Sequence, residues 1–152
     1  MSLQIFDFDE SLKMGKSGED LFHSYFPYLK RTSGLDYDFE SENGCKIELK
    51  SDSYDLNKYP NFFMERYSWG DRPGGPWQSL FKGATHYVYF YVKNETFFTF
   101  EVRKLVEALE FITEPKHLIE VRNRDHLTRG FKIPRESLNG IYKIGKAPKK
   151  EA

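Results

Sequence analysis

The sequence predicts an α/β domain. Three observations carry this: apolar and charged residues alternate over 35–51, β-branched and aromatic residues run almost unbroken over 85–92, and apolar residues recur at helical spacing over 17–29 and 101–112. Alternation with period two marks a strand with one buried face, and spacing of three and four marks a helix with one buried stripe. At 152 residues the chain reads as one domain, 1–152, large enough for its own core, with a basic tail over about 143–152.

Residues 1–14 read as a short strand or arm without chemistry. Gly15-Lys16-Ser17 is not a phosphate-binding loop, because Glu10 stands where the earlier glycine belongs. Ser17 to Leu29 is predicted to be a helix, opened by a capping box of Ser17 and Asp20. Leu21, Phe22, Tyr25, Phe26 and Leu29 form its apolar stripe. Glu19 falls at the edge of that stripe and can approach a sheet; Asp20 turns away. Both also suit the positive end of a helix dipole.

The hairpin over 35–51 is the densest signal. Leu35, Tyr37 and Phe39 alternate with Asp36, Asp38 and Glu40; Cys45, Ile47 and Leu49 alternate with Lys46, Glu48 and Lys50. A two-residue Asn43-Gly44 turn would mix apolar and charged residues on both faces. A three-residue loop, Glu42-Asn43-Gly44, with Gly44 left-handed, sets Phe39 against Ile47, Tyr37 against Leu49, Asp36 against Lys50 and Glu40 against Lys46. That register sets Asp38 against Glu48, with Cβ atoms about 5 Å apart. Two charges so placed repel by about 3 kcal/mol at a dielectric near 20. A hard divalent cation such as Mg²⁺ would reverse the sign, and Lys50 points the same way one pleat further. The other reading is a solvated polar face with two ion pairs.

Beyond the hairpin, Ser51 to Asp55 reads as a polar turn, with Asp52 and Asp55 on the surface. Asn61 to Ser68 suits a third strand, with Glu65 able to lie near the acidic face. Ser68 to Pro76 is a glycine- and proline-rich loop. Its Trp69 and Arg72 could stack a base and hold a phosphate, or the loop could be mere punctuation. Pro76 to Gly83 reads as a short helix carrying Gln78. Thr85 to Val92 reads as a central strand with His86 packed in the core, turning at Lys93-Asn94-Glu95 into Thr96 to Phe100. Glu101 to Ile112 is an amphipathic helix. His117 to Val121 follows as a further strand, then Asn123 to Arg129 as a basic loop with Arg124, His126 and Arg129. Ile133 to Leu138 starts a last short helix, and Lys143, Lys146, Lys149 and Lys150 lie on a solvated tail.

Composition narrows the function classes. No run approaches 18 apolar residues, the acidic N-terminus is not a signal peptide, and the single Cys45 excludes an internal disulfide and a cysteine-rich zinc site, so a reducing cytoplasm is expected. Four scattered histidines without a paired motif argue against a zinc enzyme. No GxGxxG follows a strand and no GxSxG elbow exists, which sets aside dinucleotide binding and serine hydrolysis. Net charge is zero, yet residues 1–45 hold 9 acidic and 4 basic residues while residues 103–152 hold 7 acidic and 12 basic ones. An acidic centre that needs a cation, beside a basic portion that holds phosphate, would give this split; chance and a basic tail would too.

Asp38, then nine intervening residues, then Glu48-Leu49-Lys50 resembles the core of the PD-(D/E)XK nuclease superfamily, in which an acidic residue on one strand precedes (D/E)-x-K on the next, after a helix with a further Glu, here Glu19. The proline that often precedes the first acid is replaced by Tyr37. The resemblance covers roughly residues 15–92. It implies a mixed central sheet flanked by helices in a restriction-endonuclease-like core, and a metal-dependent endonuclease acting on DNA. Mg²⁺ or Mn²⁺ would be held by Asp38, Glu48, the Leu49 carbonyl and Glu19, with Lys50 orienting the water. It also implies a Gln on the following helix, here Gln78. Trp69, Arg72, Gln78, Arg124 and Arg129 are then the expected DNA contacts, and a homodimer would cut both strands. The alternative is a nucleic-acid-binding protein that keeps the fold without the catalysis.

Overall fold

The structure of the chain is a computed structural model that describes residues 5–6, 8–32, 36–68, 71–123 and 127–148. Trp69 and Arg124, two of the expected DNA contacts, lie outside the described residues, as does Leu35. In chain order the elements are β1 (Ile5–Phe6), α1 (Phe8–Tyr25), β2 (Lys30–Arg31), β3 (Phe39–Glu40), β4 (Lys46–Asp52), β5 (Asn61–Ser68), β6 (Arg72–Pro73) and α2 (Gly75–Phe81). Then come β7 (His86–Tyr91), β8 (Thr96–Glu101), α3 (Val102–Ile112), β9 (Ile119–Asn123), β10 (Leu127–Pro134) and β11 (Tyr142–Lys146). Short 3-10 turns cover Pro115–His117 and Arg135–Leu138. Among the described residues no helix is long and apolar enough to cross a membrane.

Helix α1 begins at Phe8, not at Ser17, so the expected capping box lies inside the helix; of the strand or arm expected over 1–14, Ile5–Phe6 is a short strand and the residues from Phe8 on are helical. Gly15 and Gly18 cost about 1 kcal/mol each against alanine but do not end it. Gly18 has a packing reason: a Cβ there would stand 2.0 Å from Ser51 Oγ on β4, so the glycine lets helix and strand approach. The helix stops at Tyr25 instead of Leu29 because Pro27 disfavours helical backbone at Phe26.

A six-stranded mixed sheet runs in the order β11-β8-β7-β4-β3-β2. Its one parallel pair is β4 with β7; the other neighbours are antiparallel. The hairpin takes the three-residue loop: Phe39 faces Ile47, Glu40 faces Lys46, and Gly44 is left-handed at φ +87°. The ladder then becomes irregular. The Asp38 amide donates to the Ile47 carbonyl at 2.8 Å, the residue that already faces Phe39, which inserts one extra residue in the manner of a β-bulge. In consequence Tyr37 and Phe39, expected on one face, pack into different cores. Asp36 is exposed rather than paired with Lys50. Strand β4 continues through Ser51 and Asp52, expected in a turn, because β7 pairs with both.

One central sheet was expected, yet the described strands form two. Strand β5 has the predicted bounds but joins a second sheet, β1-β9-β10-β5-β6. Of the expected basic loop over 123–129, Asn123 ends β9 and Leu127 to Arg129 lie on β10, while Arg124 and His126 lie outside the described residues. The tail carries β11, an edge strand of the larger sheet, rather than being wholly solvated.

Two cores result. Phe22 of α1 packs on Phe39, Leu49, Val88 and Phe90 on one face of the large sheet. On its other face Tyr87, Tyr89, Tyr91, Phe98 and Phe100 meet Phe62 and Met64 of the second sheet and Leu105 and Leu109 of α3. Each such side chain contributes about 1.5–3 kcal/mol on burial. Directly paired residues of parallel strands share a face, so Glu48, Lys50 and Asp52 lie with Tyr87, Tyr89 and Tyr91 toward the second sheet. The polar side of β4 is thus covered by the fold and is not the solvated face of an isolated hairpin.

Candidate functional site

Three carboxylates from three elements meet at the end of β3. The Leu49 amide donates to Asp38 Oδ2 at 2.8 Å, so this carboxylate occupies the ladder position that the bulge leaves open. From there Asp38 comes within hydrogen-bond reach of Glu48 on β4 and of Glu19 on α1. The closeness expected from register is present, but by a different route: Asp38 bridges a residue from each face instead of facing Glu48 squarely.

The electrostatics follow from that placement. Burial pushes the Glu48 carboxyl up to about 8, with the charge and hydrogen bond of Asp38 and the charge of Glu19 adding to it. Burial also raises Glu19, followed by the charge and hydrogen bond of Asp38; Arg31 opposes the rise. Arg31 reaches Glu19 at 3.3 Å and Asp20 at 2.6 Å. Both acids lie well past the first turn of α1, so the helix-dipole explanation does not apply to them. A carboxyl held near 8 in a cluster of acids needs a proton or a cation beside it.

The positive groups are placed unevenly. Lys50 is half-buried two residues from Glu48 on the same face, and its ammonium forms no ion pair or hydrogen bond among the described residues. Lys82, in the turn after α2, is the cation whose charge acts on Glu48. Sequence reasoning missed Lys82; its only signal was its place one helical turn after Gln78. Gln78 itself is exposed. It also missed Tyr87, although the alternation of Tyr87, Tyr89 and Tyr91 with Val88 and Phe90 put three phenols on one face. Glu65, on β5, acts on Tyr87 together with Glu48 and Asp38.

The donor set fits a hard divalent cation, which takes carboxylate and carbonyl oxygens. Among the described residues, no three His, Cys, Asp or Glu side chains are gathered around a single ion position. The carboxylates are instead linked in a row, Glu19 to Asp38 to Glu48, and holding one ion requires them to turn from each other toward it.

The other expected contacts lie on the second sheet. Arg72 is exposed on β6, and Arg129 on β10 stacks over Tyr67 of β5 at 4.8 Å. Arg66 lies over the same ring at 4.5 Å and over Trp77 at 4.7 Å. Strand β5 runs between β6 and β10, so Arg72 and Arg129, expected in two separate loops, lie on the strands to either side of it. Asp52, expected on the surface, accepts a hydrogen bond from the Tyr89 hydroxyl. An open depression of about 400 Å³ beside His117, Phe131 and Ser137 has none of the clustered acids in its lining. No family model matches the sequence, and no curated protein is significantly similar to it.

Proposed function

We propose that the chain is a metal-dependent nuclease that hydrolyses DNA phosphodiester bonds, selecting structure or ends, with a PD-(D/E)XK-like site on a restriction-endonuclease-like core. One observation carries the reading: Glu19 of a helix, Asp38 just before β3 and Glu48 of β4 meet, with Lys50 unpaired among the described residues on the Glu48 face. Asp38 and Glu48, helped by the Leu49 carbonyl and Glu19, would hold Mg²⁺ or Mn²⁺. Such a cation supplies an activated water and neutralises phosphate charge when bound. Lys50 orients the water and offsets the charge that grows on the phosphate as the water oxygen bonds to phosphorus and the leaving oxygen departs. Lys82 adds positive charge on the same side. Arg72, Gln78 and Arg129, with Trp69 and Arg124, are the proposed DNA contacts. A homodimer would bring two such sites to the two strands, and a reducing cytoplasm suits the lone Cys45.

The test is incubation with supercoiled plasmid and branched DNA in Mg²⁺, Mn²⁺ or EDTA, beside Glu48→Ala and Lys50→Ala. Cleavage that needs metal and disappears in both variants is expected. Wild-type protein that leaves every substrate intact in both metals would sink the reading. DNA binding without cutting would instead favour a non-catalytic nucleic-acid-binding protein, a reading supported by the Arg66–Tyr67–Arg129 stack, which needs no cation.

A further inference from the structure

We propose that Tyr87 belongs to the cation site, its hydroxyl oxygen accepting a hydrogen bond from a water carried by the cation at Asp38 and Glu48. This rests on the site reading above and adds to it a residue that the nuclease pattern does not contain.

Three phenols stand in one row on β7. Tyr87, Tyr89 and Tyr91 alternate along β7, share a face and are exposed by only 2%, 0% and 1%. Two of them are satisfied. The Tyr89 hydroxyl donates to Asp52 and accepts from the Phe63 amide at 3.1 Å. The Tyr91 hydroxyl donates to the Asn61 carbonyl at 3.2 Å and accepts from Arg135 Nη1 at 3.0 Å. The Tyr87 hydroxyl has no hydrogen-bond partner among the described residues. A buried hydroxyl left in that condition costs about 1–3 kcal/mol, and its two neighbours show that this strand face can satisfy phenols.

Its surroundings are acidic. The strand register sets Tyr87 beside Glu48, and the charges of Glu48, Glu65 and Asp38 all act on its oxygen. Glu65 enters from the second sheet and lies against Gly74, where an added Cβ would come within 2.8 Å of its carboxylate. The phenol therefore faces acids from both sheets while bonding to none of them. A hydrated divalent cation is held by carboxylates, and its water, with the oxygen turned to the metal, donates to a phenol oxygen, so one group answers both the acids and the hydroxyl.

The experiment follows the site without using cleavage. Protein carrying ¹³C at tyrosine Cζ and glutamate Cδ is titrated with MgCl₂, the resonances being assigned with Tyr87→Phe and Glu48→Gln. The Tyr87 and Glu48 signals are expected to move with one midpoint while those of Tyr89 and Tyr91 stay. Tyr87→Phe is expected to bind Mg²⁺ about three- to tenfold more weakly, the loss of one hydrogen bond, without a lower melting temperature. If Glu48 responds but Tyr87 does not, or if Tyr87→Phe binds Mg²⁺ like the wild type, the inference falls and the cation site stands. If neither residue responds, both fall together.

Discussion

Strands β4 and β7 carry an acid and a tyrosine at each end of one buried face, and the two ends differ. At one end Asp52 accepts from the Tyr89 hydroxyl and from the Tyr54 amide, and Tyr89 also accepts from Phe63, so the polar atoms are mutually satisfied. At the other end Glu48 stands beside Tyr87, against Asp38 and Glu19, with Lys82 as its counter-charge and a phenol that has no partner among the described residues. Buried polar groups in folded proteins are almost always paired. The contrast therefore separates a polar contact that holds the fold from one that the fold alone leaves incomplete.

The largest effect is expected on removing Glu48. Glu48→Ala is expected to lower metal-dependent cleavage by at least about 10²–10³-fold, as for loss of a main charge-stabilising group, while the melting temperature in EDTA stays level or rises. Cleavage surviving in this variant would leave the acid cluster without a role.

A pH titration sharpens the same contrast. Glu48 titrates at about 8 when folded against 4.5 for an ordinary glutamate. Between those values the folded state binds more protons, so its stability is fullest below about 4.5 and is lost as pH rises through about 8. In EDTA the denaturant midpoint of the wild type should fall from about pH 5 to about pH 9, and Glu48→Gln should flatten much of that slope. An equally steep fall in Glu48→Gln would assign the dependence to another group.

The other end should behave in the opposite way. Asp52→Ala and Tyr89→Phe are each expected to cost about 1–3 kcal/mol of stability, read by denaturant melts, with cleavage rates in Mg²⁺ unchanged well below the melting temperature. The smallest effect belongs to the second sheet. Arg72→Ala should weaken DNA binding about two- to tenfold and lower its salt dependence by about one counterion, seen in fluorescence titrations at several salt concentrations. No change at any salt concentration would remove Arg72 from the DNA contacts.

Much of this arrangement was legible in local sequence. The hairpin register followed from Gly44 and from the need to keep Phe39 and Ile47 on one side, and β5, β7, β8 and α3 matched their predicted positions closely. The length of α1 was not legible, because Gly15 and the Ser17–Asp20 pair imitate a helix start while the tolerance for Gly18 comes from its contact with β4. The route by which Asp38 reaches both Glu19 and Glu48 was hidden as well. Alternation predicts a regular ladder, and nothing in Tyr37-Asp38-Phe39 announces the extra residue.

The periodicities, the three-residue turn and the presence of an acid pair followed by a lysine were determined by the sequence alone, since each depends on residues within one or two turns of chain. Which side of β4 is covered, and which acids meet there, was decided by tertiary structure. Glu48 is half-buried because a second sheet, built partly from β5 and β10, covers its face, and Asp38 is turned because β3 slips against β4. A side chain's distance from water depends on strands many residues away, and local pattern carries no record of them.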